Sequence, residues 1–411
     1  MKTHTRFLLT LVAICLFINQ SSAQDSWTKK ANFPGAGRAY ASCFSIGGRA
    51  YVGGGDTANS NTSLPIINDF WEYNPDSNKW TRKANIPLSP RIGAICFSIG
   101  NKGFIGCGDG GNDFWEYDPA KNTWSRKADV PGSSRLYPVS FSIGSKGYTG
   151  MGFVWGVGNV LNDFWEYDTA ANKWTRMANF PGVPKVYAIG FSIGNKGFAG
   201  TGIDSGFQTG VLTAYNDFWQ YDPAKDKWTQ KASIGNHGRY DAIGFGLANQ
   251  GYIGFGFIDS TGIENDMWTY DTTANKWTQK SYCDTGYSVV GAFAFNIGNK
   301  GYVGSGQDVN GNFSNDFYQY TNHTSSINES KKQVDFEIYP NPGSGNFVLN
   351  SSSPIESYQV CDMSGKEIYK DVVNTIGNSI DVNLSLPDGL YLVRVISNKG
   401  TAVKKVLVAG N

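Results

Sequence analysis

The chain has 411 residues, with 51 glycines, 14% aromatic residues and 17% charged ones, which suits short strands joined by tight turns and exceeds one ordinary domain. Lys plus Arg number 35 against 34 Asp plus Glu, so no net field exists to recruit nucleic acid or an acidic membrane. Any electrostatic recognition has to come from local patches.

Lys2 and Arg6 precede an apolar run from Phe7 to Ile18 and then Ser21-Ser22-Ala23, the pattern of a secretory signal over residues 1–23. The run is shorter than the roughly twenty residues that span a bilayer. The expected mature chain therefore starts at Gln24 and keeps no transmembrane segment. It holds Cys43, Cys96, Cys107, Cys283 and Cys361, an odd and scattered set that is not a disulfide framework. Cys43 and Cys96 share a repeat position with Ser140, Gly190, Gly244 and Ala294, so they are expected as small buried residues and not as metal ligands.

Internal repetition dominates the rest. Asn-Asp-Phe-Trp begins at 68, 112, 162 and 216, with Asn-Asp-Met-Trp at 265 and Asn-Asp-Phe-Tyr at 315. Each unit carries four short strand-like segments in order, as in Ala94–Ser98, Gly103–Gly106, Phe114–Tyr117 and Trp124–Lys127. Four strands per period of about fifty residues predict a propeller blade. The sixth unit lacks its Trp-Thr strand, and Trp27-Thr28-Lys29-Lys30 is an orphan copy of it. The expected fold is therefore all-β: a six-bladed β-propeller over 24–320, closed by the N-terminal strand so that no sheet edge is left open. Eleven of the twelve Trp fall on the repeat frame and are expected to pack between blades.

Gly53-Gly54-Gly55 after the second strand, followed at set spacing by an aromatic, Tyr and Trp, resembles the kelch repeat family across all six units. The doublet varies elsewhere, as in Gly106-Cys107-Gly108 and Gly150-Met151-Gly152. The resemblance implies a six-bladed kelch β-propeller.

Residues 321–333 are polar and aperiodic and read as a linker. Residues 334–411 contain Tyr339-Pro340-Asn341-Pro342, Asp362-Met363-Ser364-Gly365 and Gly389-Leu390-Tyr391, and they resemble the type A sorting domain of the type IX secretion system. That resemblance implies a small C-terminal β-sandwich, a partner in the secretion machinery, and passage to the cell surface or medium.

Connections between second and third strands vary in length and are expected to gather on one face, where recognition by a rigid scaffold usually sits. The fourth-to-first connections bring Arg38, Arg91, Arg135, Lys185 and Arg239 to the same channel mouth, with Val289 in the last unit and Tyr40, Tyr137 and Tyr187 two positions on. Such Arg can fork to a carboxylate and such Tyr can stack on a sugar; equally, the Arg can pair with loop acids Asp56, Asp109, Asp204, Asp259 and Asp308 or with carbonyls. Trp155, off the repeat frame, and His237 complete the candidate ligand set.

Copper radical oxidases share the kelch fold but need two His and two Tyr, and after the leader only His237 and His323 remain. No sialidase Ser-x-Asp box, phosphate loop or metal-ligand spacing occurs, so no catalytic set, metal or cofactor is expected. The leading expectation is an exported recognition propeller for glycan or protein. The alternative is a sugar mutarotase of the sialic acid type, using the cationic mouth and an acid such as Glu264.

Overall fold

The computed structural model describes residues 25–57, 67–87, 91–108, 111–204, 212–259, 261–283, 286–322, 335–362, 367–372, 377–397 and 400–409. The expected signal segment, most of the expected linker, His323 and Asp109 lie outside them. The chain divides into two compact units between residues 324 and 325.

The first unit holds six four-stranded antiparallel sheets. Five run in simple chain order, as in Val139–Ile143, Lys146–Gly150, Phe164–Asp168 and Lys173–Met177. In the sixth, Phe293–Ile297, Lys300–Gly304 and Phe317–Thr321 are completed by Ser26–Lys29, with Trp27 opposite Tyr320. Each innermost strand packs on the next around a circle, and the strand of the sixth blade returns to Ser42–Ile46 of the first. The ring is closed as the orphan Trp strand implies.

Alternation along the innermost strands creates the packing. In Ser42–Ile46, Phe44 and Ile46 are buried between blades while Cys43 and Ser45 face the axis. The Phe44 ring lies over Gly103 of the next blade, where an added Cβ would sit 2.1 Å from it. Phe97 covers Gly147 and Phe141 covers Gly197 in the same way. From the second unit on, the glycine at the start of the second strand is thus space left for the preceding blade's aromatic ring, and in the first unit Ala50 takes that position.

The outermost Trp also bind blades together. Trp80, Trp124 and Trp174 donate their indole N–H to the carbonyls of Ala31, Ala84 and Ala128 of the preceding blade, each at 3.0 Å. Across the seam the bond persists: Trp27 donates to Ser281 at 3.3 Å, and Ala31, which receives Trp80, belongs to the N-terminal segment. Trp27 also packs on Phe255 and Tyr320 with ring centroids 5.6 and 5.0 Å away.

The second unit is a sandwich of a three-stranded and a four-stranded antiparallel sheet around Phe336, Phe347, Leu349, Val360, Val393 and Val406. The Asn341 amide of the Tyr-Pro-Asn-Pro segment donates to the Lys405 carbonyl and accepts from the Leu407 N–H, both at 2.9 Å, which ties the start of this unit to its last strand. Among the described residues no helix is long and apolar enough to cross a membrane.

Trp27→Ala removes an indole from the seam and is expected to cost about 3 kcal/mol, read as a lowered urea midpoint with an unchanged slope. A midpoint equal to that of the native chain would show that the N-terminal strand does not hold the ring shut.

Candidate functional site

The channel mouth is organised by a charge pair repeated in five blades. Arg38 lies wholly buried and forks to Asp69, with Nη1 to Oδ1 at 2.6 Å and Nη2 to Oδ2 at 3.0 Å. Asp69 also accepts the Trp71 indole N–H at 2.8 Å, and Arg38 donates to the Gly54 carbonyl at 3.0 Å. The same set recurs as Arg91 with Asp113 and Cys107, Arg135 with Asp163 and Met151, and Arg239 with Asp266 and Phe255. Lys185 pairs with Asp217. These acids are the Asp of the repeated Asn-Asp-aromatic motif.

This corrects the expectation of a ring of cations facing the channel. Arg38, Arg91, Arg135, Lys185 and Arg239 are buried, and their partners are the motif acids rather than the loop acids. The physical reason is local: the carbonyl each Arg captures belongs to a residue held at positive φ, such as Cys107 at 53° or Met151 at 58°, in the turn after the second strand. In the last blade Val289 replaces the cation, and the Tyr287 hydroxyl donates to the equivalent Ser305 carbonyl instead. The freed acid, Asp316, pairs with Lys29 of the closing strand at 2.8 Å.

Burial alone would raise Asp69 and Asp163, but the hydrogen bonds and charges of Arg38 and Arg135, helped by Trp71 and Trp165, hold both below the ordinary carboxylate value. Burial lowers Lys185 against the pull of Asp217.

Two residues after each cation position comes a second circle: Tyr40, Gly93, Tyr137, Tyr187, Asp241 and Gly291. All six have φ between 52° and 61°. Their main chains link blade to blade, with Tyr40 N–H to Gly291 O at 2.7 Å, Tyr137 to Gly93 at 2.8 Å, Asp241 to Tyr187 at 3.3 Å and Gly291 to Asp241 at 3.3 Å. The tyrosine rings cluster, with centroids 4.9 Å apart for Tyr40 and Tyr137 and 4.4 Å for Tyr137 and Tyr187. They lie over the neighbouring glycines, since a Cβ on Gly93 would sit 2.4 Å from Tyr137 and one on Gly291 2.8 Å from Tyr40. The Tyr40 hydroxyl donates to Asp241 Oδ2 at 3.2 Å. Burial pushes Asp241 up to about 7, only partly offset by that hydrogen bond. Asp241 was not among the residues the sequence singled out, although its spacing from Arg239 equals that of Tyr40 from Arg38.

Trp155 stands 73% exposed on a short hairpin, Phe153–Val154 with Asn159–Val160, with its ring edge-on to Phe153 at a centroid distance of 6.2 Å. His237 is exposed in the connection leading to the fifth blade, and Glu264 is half-buried at the end of that blade's loop. The innermost strands line a cavity of about 470 Å³, in which small residues such as Cys43, Cys96, Ser140 and Gly190 alternate with Phe44, Phe97 and Phe141. Among the described residues no group of three or more His, Cys, Asp or Glu is placed to hold a metal.

A kelch motif family model matches residues 37–87, and a secretion system C-terminal sorting domain model matches residues 337–409. The solved structure of YjhT superposes over 62% of this chain and 87% of its own, with TM-score 0.53 at 18% identity, a likeness of fold. The chain is a kelch propeller joined to a sorting domain of type IX secretion, which directs it to the cell surface or extracellular space. It is similar over short stretches to N-acetylneuraminate epimerases: 36% identical over 77 residues to that of Pasteurella multocida and 36% over 93 residues to that of Haemophilus influenzae. Those stretches cover 18% and 22% of this chain and 20% and 24% of the relatives, so the match spans about a fifth of their length.

Two outcomes test this geometry. Arg135→Met leaves the half-buried Asp163 with only the Trp165 indole N–H of its side-chain partners and is expected to cost about 3 kcal/mol, whereas Arg135→Met with Asp163→Leu recovers much of the loss; equal stability of the single variant and the native chain would contradict a structural pair. For Asp241, the folded chain keeps a proton that the unfolded chain, with an ordinary value of 3.8, releases. Stability therefore falls as pH rises from about 4 to about 7, by up to about 4 kcal/mol. Asp241→Asn should melt with the native chain at pH 4 and above it at pH 8; a pH-independent difference would refute the assignment.

Proposed function

We propose that the propeller recognises a neutral glycan at the channel mouth, through Tyr40, Tyr137, Tyr187 and Asp241, with the exposed Trp155 hairpin as an outlying contact. The observation that carries this reading is the conformation of the tyrosines. Gly93 and Gly291 fill the same left-handed position in two blades, so the backbone alone asks only for glycine. Holding a bulky side chain there costs about 1–2 kcal/mol per residue. Strain kept at three blades points to a use for the side chains.

Their chemistry suits a sugar. Partly exposed tyrosine rings offer apolar faces to the C–H side of a pyranose. Asp241, near its midpoint at neutral pH, accepts or donates to ring hydroxyls. The cations that would select an acidic sugar are engaged with the motif acids.

A second reading, an isomerase acting on a sugar acid, is favoured by the names of the relatives and by a carboxyl poised for proton transfer. It is separated by following the anomers of N-acetylneuraminate by NMR: acceleration of their exchange by the protein, lost in Asp241→Asn, would replace the recognition reading. On a glycan array the expected result is retention of neutral glycans, weakened about tenfold by Tyr137→Ala. Retention of no glycan, with capture of a surface protein instead, would contradict it.

A further inference from the structure

Within the ring, the axis-facing second residue of each innermost strand is Cys43, Cys96, Ser140, Gly190, Gly244 and Ala294 in turn. Cys43 and Cys96 stand on adjacent blades, in Ser42–Ile46 and Ile95–Ile99, half-buried and lining the cavity. They are thus half-buried, where the sequence suggested small buried residues. The Cys43 N–H donates to Cys96 Sγ at 3.4 Å, and the Cys43 thiol donates to the Ala294 carbonyl at 3.1 Å.

One blade on, Ser140 makes the same bridge: its hydroxyl accepts the Cys96 N–H at 3.1 Å and donates to the Cys96 carbonyl at 3.0 Å. A hydroxyl is sufficient for this link between blades, so sulfur at two neighbouring positions brings something beyond the hydrogen bond. Contact with Cys96, then burial, raises the Cys43 thiol, and contact with Cys43 lowers Cys96 towards thiolate. Export places the pair where disulfides persist. Cys107, Cys283 and Cys361 are buried and do not line the cavity.

We propose that Cys43 and Cys96 form a reversible disulfide that staples the first blade to the second from inside the channel. The oxidant is a small organic disulfide, for which the cavity of about 470 Å³ leaves room. Cys96 gives up its proton to water and attacks one sulfur as thiolate, the small S–S bond breaks, and one thiolate leaves and takes a proton back from water. Cys43 turns away from the Ala294 carbonyl, attacks Cys96 Sγ in the mixed disulfide and expels the second thiolate, which takes up the Cys43 proton. Two protein thiols are oxidised and one small disulfide is reduced to two thiols.

The test treats the full chain with 2-hydroxyethyl disulfide, unfolds it with iodoacetamide present, and maps peptides without reduction. The expected result is one linked pair carrying Cys43 and Cys96, with Cys107, Cys283 and Cys361 alkylated, and a raised melting temperature that falls back on reduction. Cys43→Ser should stop at the mixed disulfide on Cys96, with no change in melting temperature. Ser140 shows that the ring accepts a hydroxyl at this level, so that variant is expected to fold, as a native circular dichroism spectrum would verify. Recovery of Cys43 and Cys96 both alkylated, or each capped separately by mercaptoethanol, would overturn the proposal.

Discussion

The buried pairing of a cation with the motif aspartate is the interaction on which the propeller's mouth depends. Each Arg must leave water to reach its site, a loss that only a forked, fully hydrogen-bonded carboxylate offsets. The fork supplies both bonds, the Trp two residues beyond the Asp supplies another, and the spare guanidinium hydrogen holds the carbonyl of a left-handed residue, as in the fifth blade, where Arg239 reaches Asp266 and Phe255 and Trp268 reaches Asp266. One side chain thereby fixes the entry to the first strand, the turn after the second and the start of the third.

That arrangement decides what the mouth can present. With the guanidinium groups turned into the blades, the inward surface passes to the residues two positions later. There backbone hydrogen bonds link five of the six neighbouring pairs of blades, at positions held by three tyrosines, two glycines and one aspartate. A ring of six equivalent positions occupied by unlike residues is asymmetric, and the asymmetry falls on one side: Asp241 receives Tyr40 across the opening. Burial lifts the Asp241 carboxyl, and the Tyr40 hydrogen bond offsets part of that lift.

Much of the fold was legible because it is periodic. The Asn-Asp-aromatic spacing marks the third strands, the Trp-Thr copies mark the fourth, and the orphan copy at Trp27 marks the seam; each signal lies within one strand and survives without knowledge of contacts. The tail was legible from Tyr339-Pro340-Asn341-Pro342, whose Asn341 amide pins the last strand. The candidate site was legible only in part. Arg38 and Asp69 lie 31 residues apart in sequence, on either side of a variable loop, so no local rule joins them. The last blade held a clue: where Val289 replaces the cation, Lys29 takes up the acid. Asp241 does not stand out in the sequence because it shares no residue type with its repeat partners; its importance comes from being the odd member of its circle.

That Arg38, Arg91, Arg135, Lys185 and Arg239 are held by aspartates and so do not read an acidic sugar can be checked by comparing affinity for N-acetylneuraminate and for its methyl ester across a range of salt. The two are expected to bind alike, with salt changing neither. A preference of tenfold or more for the free carboxylate, fading as salt rises, would show that at least one of Arg38, Arg91, Arg135, Lys185 or Arg239 is released from its aspartate to meet the ligand, and would contradict it.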